Sequence, residues 1–153
     1  MSQVVTINPA TEEQIASYDA MNKEQVNHLV EKAKRGFLEW RKDFEKRRSY
    51  VYNLVQYLKV HKHELAKVAT LEMGKAIKES VGEVEKCAWA LEFYADHADS
   101  FLHEEVLNTD ARKSFLTFEP LGVIGSIKIC SPSVNVWQYN CNETITGFDA
   151  VWN

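Results

Sequence analysis

The stretch AIKESVGEVEKCAWALEFYADHADSFL, residues 76–102, sets the architecture of this chain. Val81, Val84, Cys87, Ala88, Leu91, Tyr94, Ala95, Ala98, Phe101 and Leu102 recur along it at three- and four-residue steps, the spacing of one helical face. A continuous helix over 76–102 would be roughly 40 Å long at 1.5 Å per residue. Gly82 weakens its first turns by about 1 kcal/mol relative to alanine. Upstream, Leu65, Val68, Ala69 and Leu71 form one amphipathic stretch that Gly74 can close as a C-terminal cap. Tyr50, Val51, Leu54, Val55, Tyr57 and Leu58 form another, read as a separate segment. Asn22 followed by Gln25 has the form of a capping box. It precedes Val26, Leu29, Val30, Ala33, Phe37, Leu38 and Trp40, which predict a first helix over about 23–42.

The ends of the chain follow a different period. Residues 1–21 read as extended, with a β-prone run Val4 to Ile7 stopped by the turn pair Asn8 and Pro9. Beyond Asp110, Ser114 to Phe118 suits a pleated surface, and Pro120 interrupts it. Leu121 to Ile129 is an apolar run of strand length, the kind that a parallel sheet buries on both faces.

Composition restricts the function classes. At 153 residues the chain has the size of one domain, and 45% apolar with 26% charged residues is the balance of a water-soluble globular protein. A formal charge of −4 argues against nucleic acid or an anionic membrane as partner. Met1 to Ala10 lacks the pattern of a secretory leader, and no apolar run reaches the ~18 residues of a membrane span, so a cytoplasmic location is expected. Cys87, Cys130 and Cys141 have no metal-ligand spacing, and Cys87 lies on the apolar helical face, where a packing role is expected. His61 and His63 point about 200° apart on a helix, and with Glu64 they read as solvated surface. Gly122 and Gly125 complete no phosphate-binding fingerprint.

Several short motifs resemble the N-terminal part of aldehyde dehydrogenases. They are Ile7-Asn8-Pro9-Ala10-Thr11, Phe37-Leu38-Glu39-Trp40-Arg41, Arg47-Arg48, Thr70-Leu71-Glu72-Met73-Gly74-Lys75, the segment Glu79 to Glu85, and Phe118 to Ile127. Glu72 to Lys75 together with Gly82 to Lys86 most resembles the succinate-semialdehyde dehydrogenase group. The resemblance implies an α/β fold: the helix-rich N-terminal part of a Rossmann-like cofactor domain, with an extended arm at 113–119, one buried strand at 121–129 and a truncated sheet. It divides the chain into a family segment, 1–128, and a diverged tail, 129–153.

The resemblance also implies a reaction, the NAD- or NADP-dependent oxidation of a small-molecule aldehyde such as succinate semialdehyde to the acid. In the family a Cys thiolate attacks the carbonyl, hydride passes to the nicotinamide, and a Glu-activated water releases the acid. Those two residues lie beyond position 153 in the family pattern, and the residues that hold the cofactor lie at or past it, so no cofactor-binding or metal residue is assigned. The family's oxyanion Asn would fall on Ser131 in an ungapped alignment, or on Ser133 if Val136-Trp137-Gln138 is the anchor. The chain is therefore expected to be a truncated, inactive aldehyde dehydrogenase, with Cys130 and Cys141 not substituting as nucleophile. The alternative is a noncatalytic oligomerisation module docking on an intact paralogue. A strand at 121–129 without neighbours would favour association, as a homo-oligomer or with an intact aldehyde dehydrogenase.

Overall fold

A computed structural model describes residues 3–125. In chain order these form β1 (Gln3–Ile7), β2 (Gln14–Asp19), α1 (Lys23–Trp40), α2 (Phe44–Met73), α3 (Ile77–Leu102), β3 (Glu105–Leu107) and β4 (Ser114–Leu116). The α/β class and the helical span expected between residues 22 and 102 both hold. Two antiparallel hairpins, β1–β2 and β3–β4, flank the helices.

The first hairpin turns where Asn8 and Pro9 predict. Asn8 Oδ1 accepts from Ala10 N–H at 2.9 Å, and Asn8 N–H donates to the Glu13 carbonyl at 2.9 Å. An irregularity between Thr6 and Ile7 shifts the register so that Ile7 faces Gln14. Asn22 closes α1 as a full capping box: its Oδ1 accepts from Gln25 N–H at 2.9 Å, and Gln25 Oε1 accepts from Asn22 N–H at 2.8 Å.

The two amphipathic stretches at 50–58 and 65–72 are one helix, not two, because α2 runs unbroken for 30 residues. The polar run from Lys59 to Glu64 contains no glycine or proline to stop it. Lys59 and Lys62 instead reach the neighbouring helix, meeting Glu92 at 2.8 Å and Glu85 at 2.5 Å. Asp43 caps the start through Lys46 N–H. Gly74 ends the helix at φ +68, donating to the Thr70 carbonyl at 2.9 Å, as its position predicts.

α2 and α3 are antiparallel and share one apolar seam. Val51, Val55 and Leu58 meet Val84, Cys87, Ala88, Leu91, Ala95 and Ala98, with Phe44, Tyr52, Leu65 and Tyr94 packed at the rim. Cys87 is a core residue, as its place on the stripe predicts. Polar pairs line the seam in antiparallel register: Arg48 with Asp99, Tyr52 with Asp96, Lys59 with Glu92 and Lys62 with Glu85. The Asp99 contact raises the pKa of Arg48, and the hydrogen bond that Tyr52 donates to Asp96 raises that of the phenol. Lys62 holds the Glu85 carboxyl below the usual carboxylate range through its hydrogen bond and its charge.

The arm differs from expectation. Only Ser114–Leu116 of the 113–119 segment is strand, and it pairs with β3, which the sequence pattern did not reveal. Leu121 to Gly125 is not strand: no described strand lies alongside to pair with it, and Gly122 turns to φ +106. The rest of the 121–129 run, the 128/129 boundary and the tail lie outside the described residues.

Three measurements test this packing. Leu91→Ala should cost about 2–5 kcal/mol in urea unfolding, as expected for a leucine 1% exposed. Gly74→Ala should destabilise by more than about 1 kcal/mol, since the left-handed φ is unfavourable and the new Cβ would sit 2.8 Å from Pro9 Cγ. Because the folded pKa of Glu85 is lowered, its contribution is present above the unfolded value of about 4.3 and is lost as pH falls through the lower folded one. Acid titration followed by circular dichroism should therefore show a shallower stability loss in Glu85→Gln than in the parent across that window.

Candidate functional site

One concavity among the described residues is a groove of about 300 Å³ between α2 and α3, lined by Leu58, Lys59, Lys62, Glu85, Ala88, Trp89 and Glu92. Its floor is the edge of the apolar seam, and Trp89 stands 63% exposed on its wall. Its four charged groups are paired with one another across the two helices. A carboxylate held ionised by an ammonium 2.5 Å away is a poor proton acceptor, so Glu85 is not poised as a base.

Other candidates read from the sequence resolve similarly. His61 Nδ1 lies 3.0 Å from Glu64 Oε2, and its ring lies 4.4 Å from that of Tyr57, so the histidine is engaged on its own helix. Among the described residues no group of three or more His, Cys, Asp or Glu could hold a metal ion. Ser131, Ser133, Cys130 and Cys141 lie outside the described residues.

The starts of the three helices are taken up by the chain's own polar groups. Asn22 and Asp43 fill the first turns of α1 and α2 with their own side chains, leaving no open helix N-terminus for a pyrophosphate there. α3 starts at Ile77 without a side-chain cap, but Glu79 occupies its first turn, where a second anion would be repelled. Just before it, Lys75 is committed to Glu83 at 2.5 Å, both side chains being 12% exposed.

Sequence reasoning missed one assembly, at the end of α1. Arg41 Nη2 donates to Glu119 Oε2 at 3.0 Å, its guanidinium lies 5.5 Å from the Phe37 ring centre, and Phe37 Cε1 comes within 3.9 Å of the Cβ position of Gly122. Two motifs noted separately, 37–41 and 118–127, thus meet in space. The opposite charges at Arg41 and Glu119 were the available signal. No helix among the described residues is long and apolar enough to cross a membrane.

Comparison with known proteins places this scaffold. Residues 1–129 match the Aldehyde dehydrogenase family. A probable succinate-semialdehyde dehydrogenase [NADP(+)] of Synechocystis sp. is 38% identical over 122 residues, covering 79% of this chain and 27% of the relative. A succinate-semialdehyde dehydrogenase [NADP(+)] of Mycobacterium avium is 30% identical over 140 residues, covering 88% and 29%. The crystal structure of succinic semialdehyde dehydrogenase from Streptococcus pyogenes, in complex with NADP+, superposes with a TM-score of 0.74 at 31% identity, covering 78% of this chain and 27% of that one. That of glyceraldehyde-3-phosphate dehydrogenase GapN from Methanocaldococcus jannaschii, complexed with NADP, gives 0.81 at 26% identity, covering 94% and 32%. The chain thus spans between a quarter and a third of the length of these relatives. By motif order, family match and fold, it belongs to the aldehyde dehydrogenase family.

Proposed function

We propose that this chain supplies the N-terminal helical scaffold of an NAD(P)-dependent aldehyde dehydrogenase acting on succinate semialdehyde or a closely similar aldehyde. The reaction converts aldehyde and water to the acid and transfers hydride to NAD(P)+. The observation that carries this reading is the match over residues 1–129, with relatives named as NADP+-dependent succinate-semialdehyde dehydrogenases. In it, residues 3–125 position and support, while nucleophile, base and cofactor contacts come from the family's downstream sequence. The 153-residue chain alone is then inactive, and its last 25 residues, with Ser131 or Ser133 in place of the oxyanion Asn, are a diverged tail.

A chimera tests this directly. Residues 1–129 are grafted in place of the matching segment of the Synechocystis relative, and reduction of NADP+ by succinate semialdehyde is followed at the nicotinamide absorbance. The chimera should turn over and the 153-residue chain should not. An inactive chimera, or turnover by the chain alone above a heat-denatured control, would overturn the proposal. Extending the graft through residue 133 should lower kcat by about 10²- to 10³-fold, the usual cost of one lost oxyanion donor.

A second reading draws on the exposed aromatic line of α3. Trp89, Phe93 and Phe101 are 63%, 39% and 45% exposed. On this reading the chain is a noncatalytic module docking on an intact aldehyde dehydrogenase. Co-expression with the intact Synechocystis relative should then yield a complex that Phe93→Ser weakens. Separate elution of the two proteins would remove this reading.

A further inference from the structure

The contact at the end of α1 joins segments 78 positions apart. On one side Phe37 and Arg41 project from the last turn of α1 and its C-cap. On the other stand Glu119 and Gly122, in the segment whose resemblance is to the lead-in of a nucleotide-binding strand. Gly122 has φ +106, which any L side chain adopts only with strain, and a Cβ built there would come within 3.9 Å of the Phe37 edge. We infer that Arg41 is a positioning residue: with Phe37 beneath it, it fixes the path by which the chain leaves Gly122, and so sets cofactor affinity in the assembled enzyme. This rests on the reading proposed above and deepens it.

The chemistry limits the size of the effect. Arg41 and Glu119 side chains are 42% and 70% exposed, so the pair is screened and worth no more than about a fivefold change in an equilibrium. The clasp touches no reacting group. Its geometry is therefore the same in ground and transition states, and losing it should raise KM while leaving kcat in place. The positive φ of Gly122 is the stiffer half of the clasp, because it restricts the backbone itself and salt does not screen it.

The test uses the active chimera carrying Arg41→Glu, Glu119→Arg, or both. Each single change should raise KM for NADP+ about fivefold with kcat within about twofold, and the charge-swapped double variant should return KM to within about twofold of the parent. High salt should shrink the effect of the single changes. A double variant no better than the singles, or an equal fall in kcat, would overturn the assignment. So would a loss of thermal stability with KM unchanged, since that marks a purely structural contact. Amide exchange on the 153-residue chain supplies an independent reading: Arg41→Glu should accelerate exchange at residues 121–125, and unchanged exchange there refutes the clasp. If the parent chimera itself fails to turn over, the proposed function falls, while the exchange measurement still decides the clasp.

Discussion

The seam between α2 and α3 is the contact on which the other elements depend. Small residues on α3, Ala88, Ala95 and Ala98, let the helices approach closely, while Val55 and Leu91 fill the space between them. Burial of these side chains supplies the stabilisation, at about 25 cal/mol per Å² of apolar surface removed from water. The flanking pairs Arg48–Asp99, Lys59–Glu92 and Lys62–Glu85 lie at the surface, where ion pairs contribute little net energy. Their value is in register: shifting either helix along the other would separate several opposite charges at once. α1 meets this hairpin near its C-terminal end, where Arg47 donates to the Trp40 carbonyl at 2.9 Å and the Trp40 and Tyr50 rings lie 5.6 Å apart.

α3 has apolar side chains on two faces. One meets α2; outside that seam Trp89, at the rim of the groove, Phe93 and Phe101 stay exposed, with the His97 ring stacked on Phe93 at 4.3 Å. A helix apolar on both sides is ordinarily an inner layer. α1 shows a milder form: Ala33 is buried and Leu29 and Phe37 are partly covered, yet Val26 and Val30 are 46% and 41% exposed. This distribution agrees with the coverage of the relatives, since a segment amounting to 27% of a longer fold carries the contact surfaces of that fold.

How far the sequence discloses this structure depends on whether a feature is local. The Asn22–Gln25 capping box and the Gly74 cap are decided within four residues, and both are readable. The continuity of α2 is not local. Lys59 to Glu64 looks like a polar interruption until Glu85 and Glu92 on α3 provide partners for its lysines. The first part of the 121–129 run differs in the opposite way: its composition suits a strand, but a strand needs a neighbour, and within residues 121–125 the chain follows the φ of Gly122 instead. β3 is three residues long, too short for alternation to register, and is defined by its pairing with β4. The packing role of Cys87 was legible from its place on the apolar stripe, whereas the Arg41–Glu119 clasp joins two motifs 78 residues apart that no local pattern links.

The motifs that carry the family resemblance fall at junctions between elements. Pro9, from the opening motif, lies 2.8 Å from the position of a Cβ on Gly74, so the first hairpin turn presses on the link between α2 and α3. Lys75 on that link pairs with Glu83 of the next motif, beside Ser80, whose hydroxyl lies 3.0 Å from that of Thr70 and which is fully buried. Phe37 and Arg41 hold Glu119 and Gly122. A residue that joins two elements is constrained by both, which is a physical reason for a short identifiable string there and for looser text along the helices between. In this segment, then, the recognisable residues fix the angles and distances between elements. The polar groups best placed for chemistry by type, Lys75, Glu83, Glu85 and Lys62, are already committed to one another.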